Sequence, residues 1–94
     1  MQNPKFTDHL ERMAAVHDAK NHDYAEAGDP LSNFTFAATV AGTDTDTVFR
    51  VLIGVKLARL NELLGKGKTP QHESIDDSLL DLSVYAALWA SSRR

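Results

Sequence analysis

Asp46-Thr-Val-Phe-Arg-Val-Leu-Ile-Gly-Val-Lys-Leu-Ala-Arg-Leu-Asn-Glu-Leu-Leu64 reads as one long helix. At about 100° per residue, Arg50, Gly54, Asn61 and Glu62 share one edge, the side expected to face water. Lys56 and Arg59 fall in the opposite arc, among Leu52, Val55, Leu60 and Leu63. A cation set into an apolar arc is costly unless something compensates its charge. The two candidates are an acidic side chain and an anionic ligand.

Three further helical segments surround this one. The first is expected from about Thr7 to Tyr24, capped by Thr7 or Asp8, with Leu10, Met13, Ala14, His17 and Tyr24 as its apolar stripe and Lys20 inside that stripe. Gly28-Asp29-Pro30 breaks it. The second is short, about Ser32 to Ala41, capped by Ser32 or Asn33, with Phe34, Ala37, Ala38 and Ala41 on one face. Thr45 or Asp46 is expected to cap the long third helix, which ends in Gly65-Lys66-Gly67-Lys68-Thr69-Pro70. The fourth runs from about Glu73 to Ser91; Ile75, Leu79, Leu82, Ala86 and Trp89 form one ridge, and Leu80, Val84, Ala87 and Leu88 extend it. No segment alternates with the period of a strand. The expectation is a single all-α domain over residues 1–94, a four-helix bundle.

Composition narrows the class. A chain of 94 residues with 43% hydrophobic content has much apolar surface to bury and few helices to bury it with. The third helix has more apolar positions than one neighbour can cover, so a homodimer or homotetramer is expected. The net charge of −3 and the lack of a basic run argue against binding a nucleic-acid polymer. There are no cysteines, hence no disulfides or thiolate metal sites. No apolar run is long enough to span a membrane, and Met1-Gln-Asn-Pro-Lys5 does not read as a signal peptide. A soluble, cytoplasmic protein is expected.

The fourth helix holds a second anomaly. Asp77 and Asp81, one turn apart, stack on one face, with Ser74, Ser78 and Tyr85 beside them. Paired carboxylates on an inner face can hold Mg²⁺, a hard cation that takes oxygen ligands. They can equally pair with Lys20, Lys56 or Arg59. Glu73 either joins such a site or caps the helix, and Asp76 points elsewhere. At the end of the first helix, Lys20, Asp23 and Tyr24 set a cation, a carboxylate and an aromatic hydroxyl close together. A lysine can meet a phosphate and an aromatic ring can stack on a base; the alternative is a snorkelling lysine beside a core-edge ring. Asn33 reads as a helix cap or as a donor to a base edge. His17 reads as a core histidine, and His9, His22 and His72 as surface residues without metal spacing. The Gly65–Thr69 loop lacks the spacing of a phosphate loop and follows a helix, so it reads as a basic linker. Ser74 and Ser78 have no evident histidine–carboxylate pair, which argues against covalent catalysis.

Four blocks in order, Lys20-x-x-Asp23-Tyr24, Ser32-Asn33-Phe34, Val55-Lys56-Leu57-Ala58-Arg59-Leu60 and Glu73-Ser-x-x-Asp77-Ser-x-x-Asp81-Leu-x-x-Tyr85-Ala, resemble small phage-encoded proteins of the MazG-like group. The resemblance covers roughly Phe6 to Trp89. It implies the all-α nucleoside triphosphate pyrophosphohydrolase fold in dimers or tetramers of four- to five-helix protomers. It also implies Mg²⁺, with Mn²⁺ as a substitute, held by carboxylates of two helices, and hydrolysis of the α–β phosphoanhydride to a nucleoside monophosphate and pyrophosphate. Carried onto this chain, Asp77 and Asp81 hold metal, with Glu73 or Asp23 assisting. Lys20, Lys56 and Arg59 neutralise phosphates, and Tyr24, Asn33 and Phe34 receive the base. The chain departs from the group in lacking a Glu-x-x-Glu pair; Glu73, Asp77 and Asp81 come at four-residue steps instead.

Two functions follow. One is a Mg²⁺-dependent (deoxy)nucleoside triphosphate pyrophosphohydrolase acting on the nucleotide pool. The other is a non-catalytic phage nucleotide-binding protein that sequesters a nucleotide signal with the same cations and aromatics, its aspartates serving as ion-pair partners. A helical interaction module without a small ligand is a third, weaker reading.

Overall fold

The computed structural model describes residues 3–24, 31–65 and 72–94, the side chains of 20–24 and 72–74 excepted. These residues form four α-helices, α1 (Pro4–Tyr24), α2 (Ser32–Ala41), α3 (Thr45–Gly65) and α4 (His72–Ser92), and contain no strand. The all-α expectation therefore holds. No helix among the described residues is long and apolar enough to cross a membrane.

The helix starts differ from expectation for local reasons. Helix α1 begins at Pro4, not Thr7, because the Asn3 side-chain carbonyl accepts the N–H groups of Lys5 at 3.0 Å and Phe6 at 3.3 Å. Proline at the first helical position loses no bond, since its N–H would have had no partner there. Helix α2 is flanked by Leu31 and has no side-chain cap; Ser32 and Asn33 already lie inside the helix. The Leu31 carbonyl instead receives the N–H groups of Phe34 and Thr35. Asp44, rather than Thr45 or Asp46, caps α3, its carboxylate accepting the Thr47 N–H at 2.7 Å. Helix α2 stops at Gly42, whose φ of 69° lies in the left-handed region. There the N–H of Thr43 returns to the Ala38 carbonyl and that of Gly42 to Thr39, a closure that glycine makes without a Cβ clash.

Helix α3 packs along α4; α2 lies on α3 and α1 on α4. The seam is solid at one end. Phe49 of α3 is fully buried. Its ring stacks on Phe34 of α2 at 4.6 Å and lies near-parallel to Trp89 of α4 at 6.3 Å, while Tyr85 meets Phe34 edge-on at 6.5 Å. Ala38, Leu60 and Val84 complete the buried apolar set among the described residues. Burying one such phenylalanine is worth about 1.5–3 kcal/mol, and aromatic pairs in these geometries add about 0.5–1.5 kcal/mol. The same end is tied by Asp46, which accepts the Trp89 indole N–H at 2.8 Å and pairs with the Arg93 guanidinium.

The face of α3 that turns inward is centred on Phe49, Leu52, Lys56, Leu60 and Leu63. Val55 and Arg59, expected in the same arc, are exposed. Arg59 follows Lys56 by three residues and so sits about 60° further round the helix, at the rim rather than inside. On α4 the expected ridge is also displaced, since Leu79 and Ala86 are exposed. The inward face carries Ser78 and Val84 buried, with Asp81, Tyr85, Leu88 and Trp89 half-buried. On α1, Leu10 and Ala14 of the expected stripe are exposed.

Large apolar side chains consequently remain on the outside: Phe6 and Leu10 of α1, Phe36 and Val40 of α2, Val51, Val55, Leu57 and Leu64 of α3, and Leu79 of α4.

Candidate functional site

Lys56 and Asp81 meet at the α3–α4 seam. Lys56 follows Phe49 by two helical turns and Asp81 precedes Trp89 by about two, so the contact between Phe49 and Trp89 brings the two charges level. Their Nζ–Oδ2 distance is 3.0 Å, and each side chain keeps a quarter of its surface exposed. The cation predicted to need a partner thus has a carboxylate as that partner. Ser78, one turn before Asp81 on the same inward face, is 3% exposed, and its hydroxyl makes no hydrogen bond among the described residues. Tyr85, one turn after Asp81, is half-buried with its ring edge against Phe34. A polar strip of Ser78, Asp81 and Tyr85 therefore lines a helix face that would otherwise be apolar.

Asp77 lies elsewhere. It is exposed and lines a cleft of about 450 Å³ between α1 and α4, together with His9, Arg12, Val16, Asp76 and Leu80. Asp76, expected to point away, shares this cleft. His9, expected on the surface, is half-buried and bonded to Ser83 of α4 at 3.1 Å. The Ser83 hydroxyl gives its one proton to the Leu79 carbonyl at 2.7 Å, so towards His9 it accepts. His9 Nε2 is therefore the donor in this contact. His17 is half-buried.

The remaining site residues divide in three. Arg59 and Asn33 are exposed on the described surface. Phe34 is part of the aromatic core, with one ring face covered by Phe49, so it is not the open stacking platform expected for a base. The side chains of Lys20, Asp23, Tyr24 and Glu73 lie outside the described residues, as do His22, His72 and the Lys66–Pro70 linker.

Among the described residues three groups titrate away from their ordinary values, two at the start of α3 and one just past the end of α4. Hydrogen bonds from Trp89 first and Arg93 second hold the Asp46 carboxyl below the usual aspartate value. Bonds from the Thr47 hydroxyl and N–H do the same for Asp44. The Arg93 guanidinium is raised by its bond to Asp46. This constellation is a clamp between helices, and sequence reasoning missed it because Asp46 also reads as a cap.

Among the described residues, no three of His, Asp or Glu group to hold a metal ion. Asp77 and Asp81 offer two carboxylates from one edge of α4. Mg²⁺ is usually held by one or two carboxylates together with substrate phosphates. The two aspartates turn to different neighbours, Asp77 to the α1–α4 cleft and Asp81 to Lys56 of α3, so the described residues do not by themselves form a metal site. Compared with models of known families, with characterised proteins and with solved structures, the chain matches none.

Proposed function

We propose that this chain is a homo-oligomeric, Mg²⁺-dependent (deoxy)nucleoside triphosphate pyrophosphohydrolase of the MazG-like kind, acting on the cytoplasmic nucleotide pool. The observation that supports a ligand site at all, for either reading, is the polar lining of the α3–α4 seam, where Lys56 and Asp81 stand 3.0 Å apart on faces that otherwise pack a core. The reaction itself comes from the resemblance of the four sequence blocks. In this reading Asp77 and Asp81 hold the metal, with Glu73 or Asp23 helping. Lys20, Lys56 and Arg59 neutralise the phosphates, and Tyr24 and Asn33 receive the nucleoside. The bound cation supplies charge neutralisation at the phosphoanhydride. A water oxygen bonds to the α-phosphorus as the α–β P–O bond breaks, a carboxylate takes the water's proton, and pyrophosphate leaves.

Self-association is supported by the large apolar side chains left outside, Val51, Val55, Leu57 and Leu64 of α3 among them.

A second reading is favoured by the same ion pair. Asp81 already has a cation partner, as a metal-independent nucleotide binder would require. Incubating the purified protein with each common nucleoside and deoxynucleoside triphosphate, with and without Mg²⁺, and separating the products decides between the two. Monophosphate and pyrophosphate that depend on Mg²⁺ support the enzyme. Tight binding without metal and without product supports the binder.

A further inference from the structure

We infer that the cleft between α1 and α4 is a separate ligand site, and that it takes a free α-amino acid with an apolar side chain. The inference does not depend on the nucleotide reading, whose seam lies on the face of α4 turned to α3.

The cleft has a volume of about 450 Å³, within the range of small-molecule sites. The bond from His9 Nε2 to Ser83 Oγ at 3.1 Å fixes the level at which α1 meets α4. From that bond the lining runs forward along α1 to Val16 and backward along α4 to Asp76. Val16 and Asp76 each stand two helical turns from it, and Arg12 stands one turn from it. Arg12 and Asp76 therefore line opposite walls about one turn apart. Asp77, about 100° further round α4, adds a second negative charge to the Asp76 wall. The side chains of Arg12, Asp76 and Asp77 make no ion pair or hydrogen bond among the described residues.

What fills this cleft must answer both signs. An ammonium suits Asp76, and a carboxylate suits Arg12, whose planar fork matches it in bidentate fashion. An anion alone, a nucleotide included, would meet two aspartates, and an amine alone would leave Arg12 without a partner. Val16 and Leu80 are half-buried and Leu79 is 44% exposed, so the same cleft offers apolar surface whose covering is favourable. A free α-amino acid carries an ammonium, a carboxylate and a side chain on one carbon. With an apolar side chain it answers all three parts of the lining at once.

The test follows the backbone amide signals of the ¹⁵N-labelled full chain by NMR as free L-leucine is added. Saturable shifts should gather at residues 9–16 of α1 and 76–80 of α4 and leave Lys56 unmoved. Glycine, N-acetyl-leucine and leucinamide lack in turn the apolar side chain, the ammonium and the carboxylate. Each should bind at least about tenfold more weakly than leucine. Arg12→Gln should weaken leucine by about the same factor and abolish its advantage over leucinamide. Asp76→Asn should weaken leucine and abolish its advantage over N-acetyl-leucine; circular dichroism verifies that each variant is helical. An absence of saturable shifts up to about 10 mM leucine overturns the inference, as do shifts centred on α3. Leucinamide binding as tightly as leucine overturns it too, because the cleft would then be a site for amines. So does a folded Arg12→Gln or Asp76→Asn protein that binds leucine as wild type does. The nucleotide reading stands or falls separately, on product formation.

Discussion

Asp46, in the first turn of α3, accepts the indole N–H of Trp89, near the end of α4, at 2.8 Å, and its other oxygen pairs with Arg93. One carboxylate thus fastens the antiparallel helices where Phe49 fills the space between them. Its pKa is lowered from the ordinary 3.8 by these bonds. A depressed carboxylate contributes stability above its unfolded-state value and loses it as the pH falls through the folded one. Chemical unfolding should therefore show the protein less stable below pH 3.8 than at neutrality, and Asp46→Asn should be less sensitive to acid than wild type. An identical acid dependence in the two proteins would show that Asp46 makes no such linkage.

Phe49 is the one large side chain fully buried among the described residues. Phe49→Ala should cost about 3–5 kcal/mol, a large part of the stability of a small domain. The chain's single tryptophan, Trp89, lies against it, so its fluorescence should report the loosened core directly. A urea midpoint within error of wild type would contradict the packing described.

The Lys56–Asp81 pair should be visible as thermodynamic coupling. A double-mutant cycle between Lys56→Ala and Asp81→Ala is expected to return about 1 kcal/mol, larger than that of a fully exposed pair, because both groups are partly desolvated. Additive single effects would mean that the contact does not persist in solution.

Chemistry is read through Asp77→Asn and Asp81→Asn. Each should abolish Mg²⁺-dependent release of pyrophosphate, since an amide is a poor ligand for Mg²⁺, while circular dichroism stays helical. Full turnover in either variant would remove that residue from the metal set.

The outer face of α3 should join copies of the chain. Val51 and Val55 are 58% and 60% exposed, one turn apart, and a charge there should break an apolar interface. Wild type should sediment as a dimer or larger, and Val55→Lys should shift it toward monomer. A folded wild-type monomer at micromolar concentration would sink the oligomer.

The helices were legible because apolar periodicity and breakers such as Gly42 and Gly65 agree. Their caps were not, because adjacent residues offer the same chemistry: Asp44, Thr45 and Asp46 can each cap α3, and only the chain's path selects Asp44. Lys56 was legible as a cation turned inward, since it lies at the middle of the buried arc. Arg59 was misjudged because α3 carries apolar residues on nearly all sides. Periodicity then cannot say which of them turns toward α4 and which toward another chain. The split of Asp77 from Asp81 was hidden for a related reason. Helical spacing puts the two on one edge of α4, but α1 and α3 approach that edge from different sides.

The aromatic cluster sits toward one end of the α3–α4 seam, and the Lys56–Asp81 pair lies two turns away, about 10 Å along the axis. The stacked rings therefore set how α2, α3 and α4 approach one another, while the ion pair lies far enough along the seam to be substituted without touching a ring.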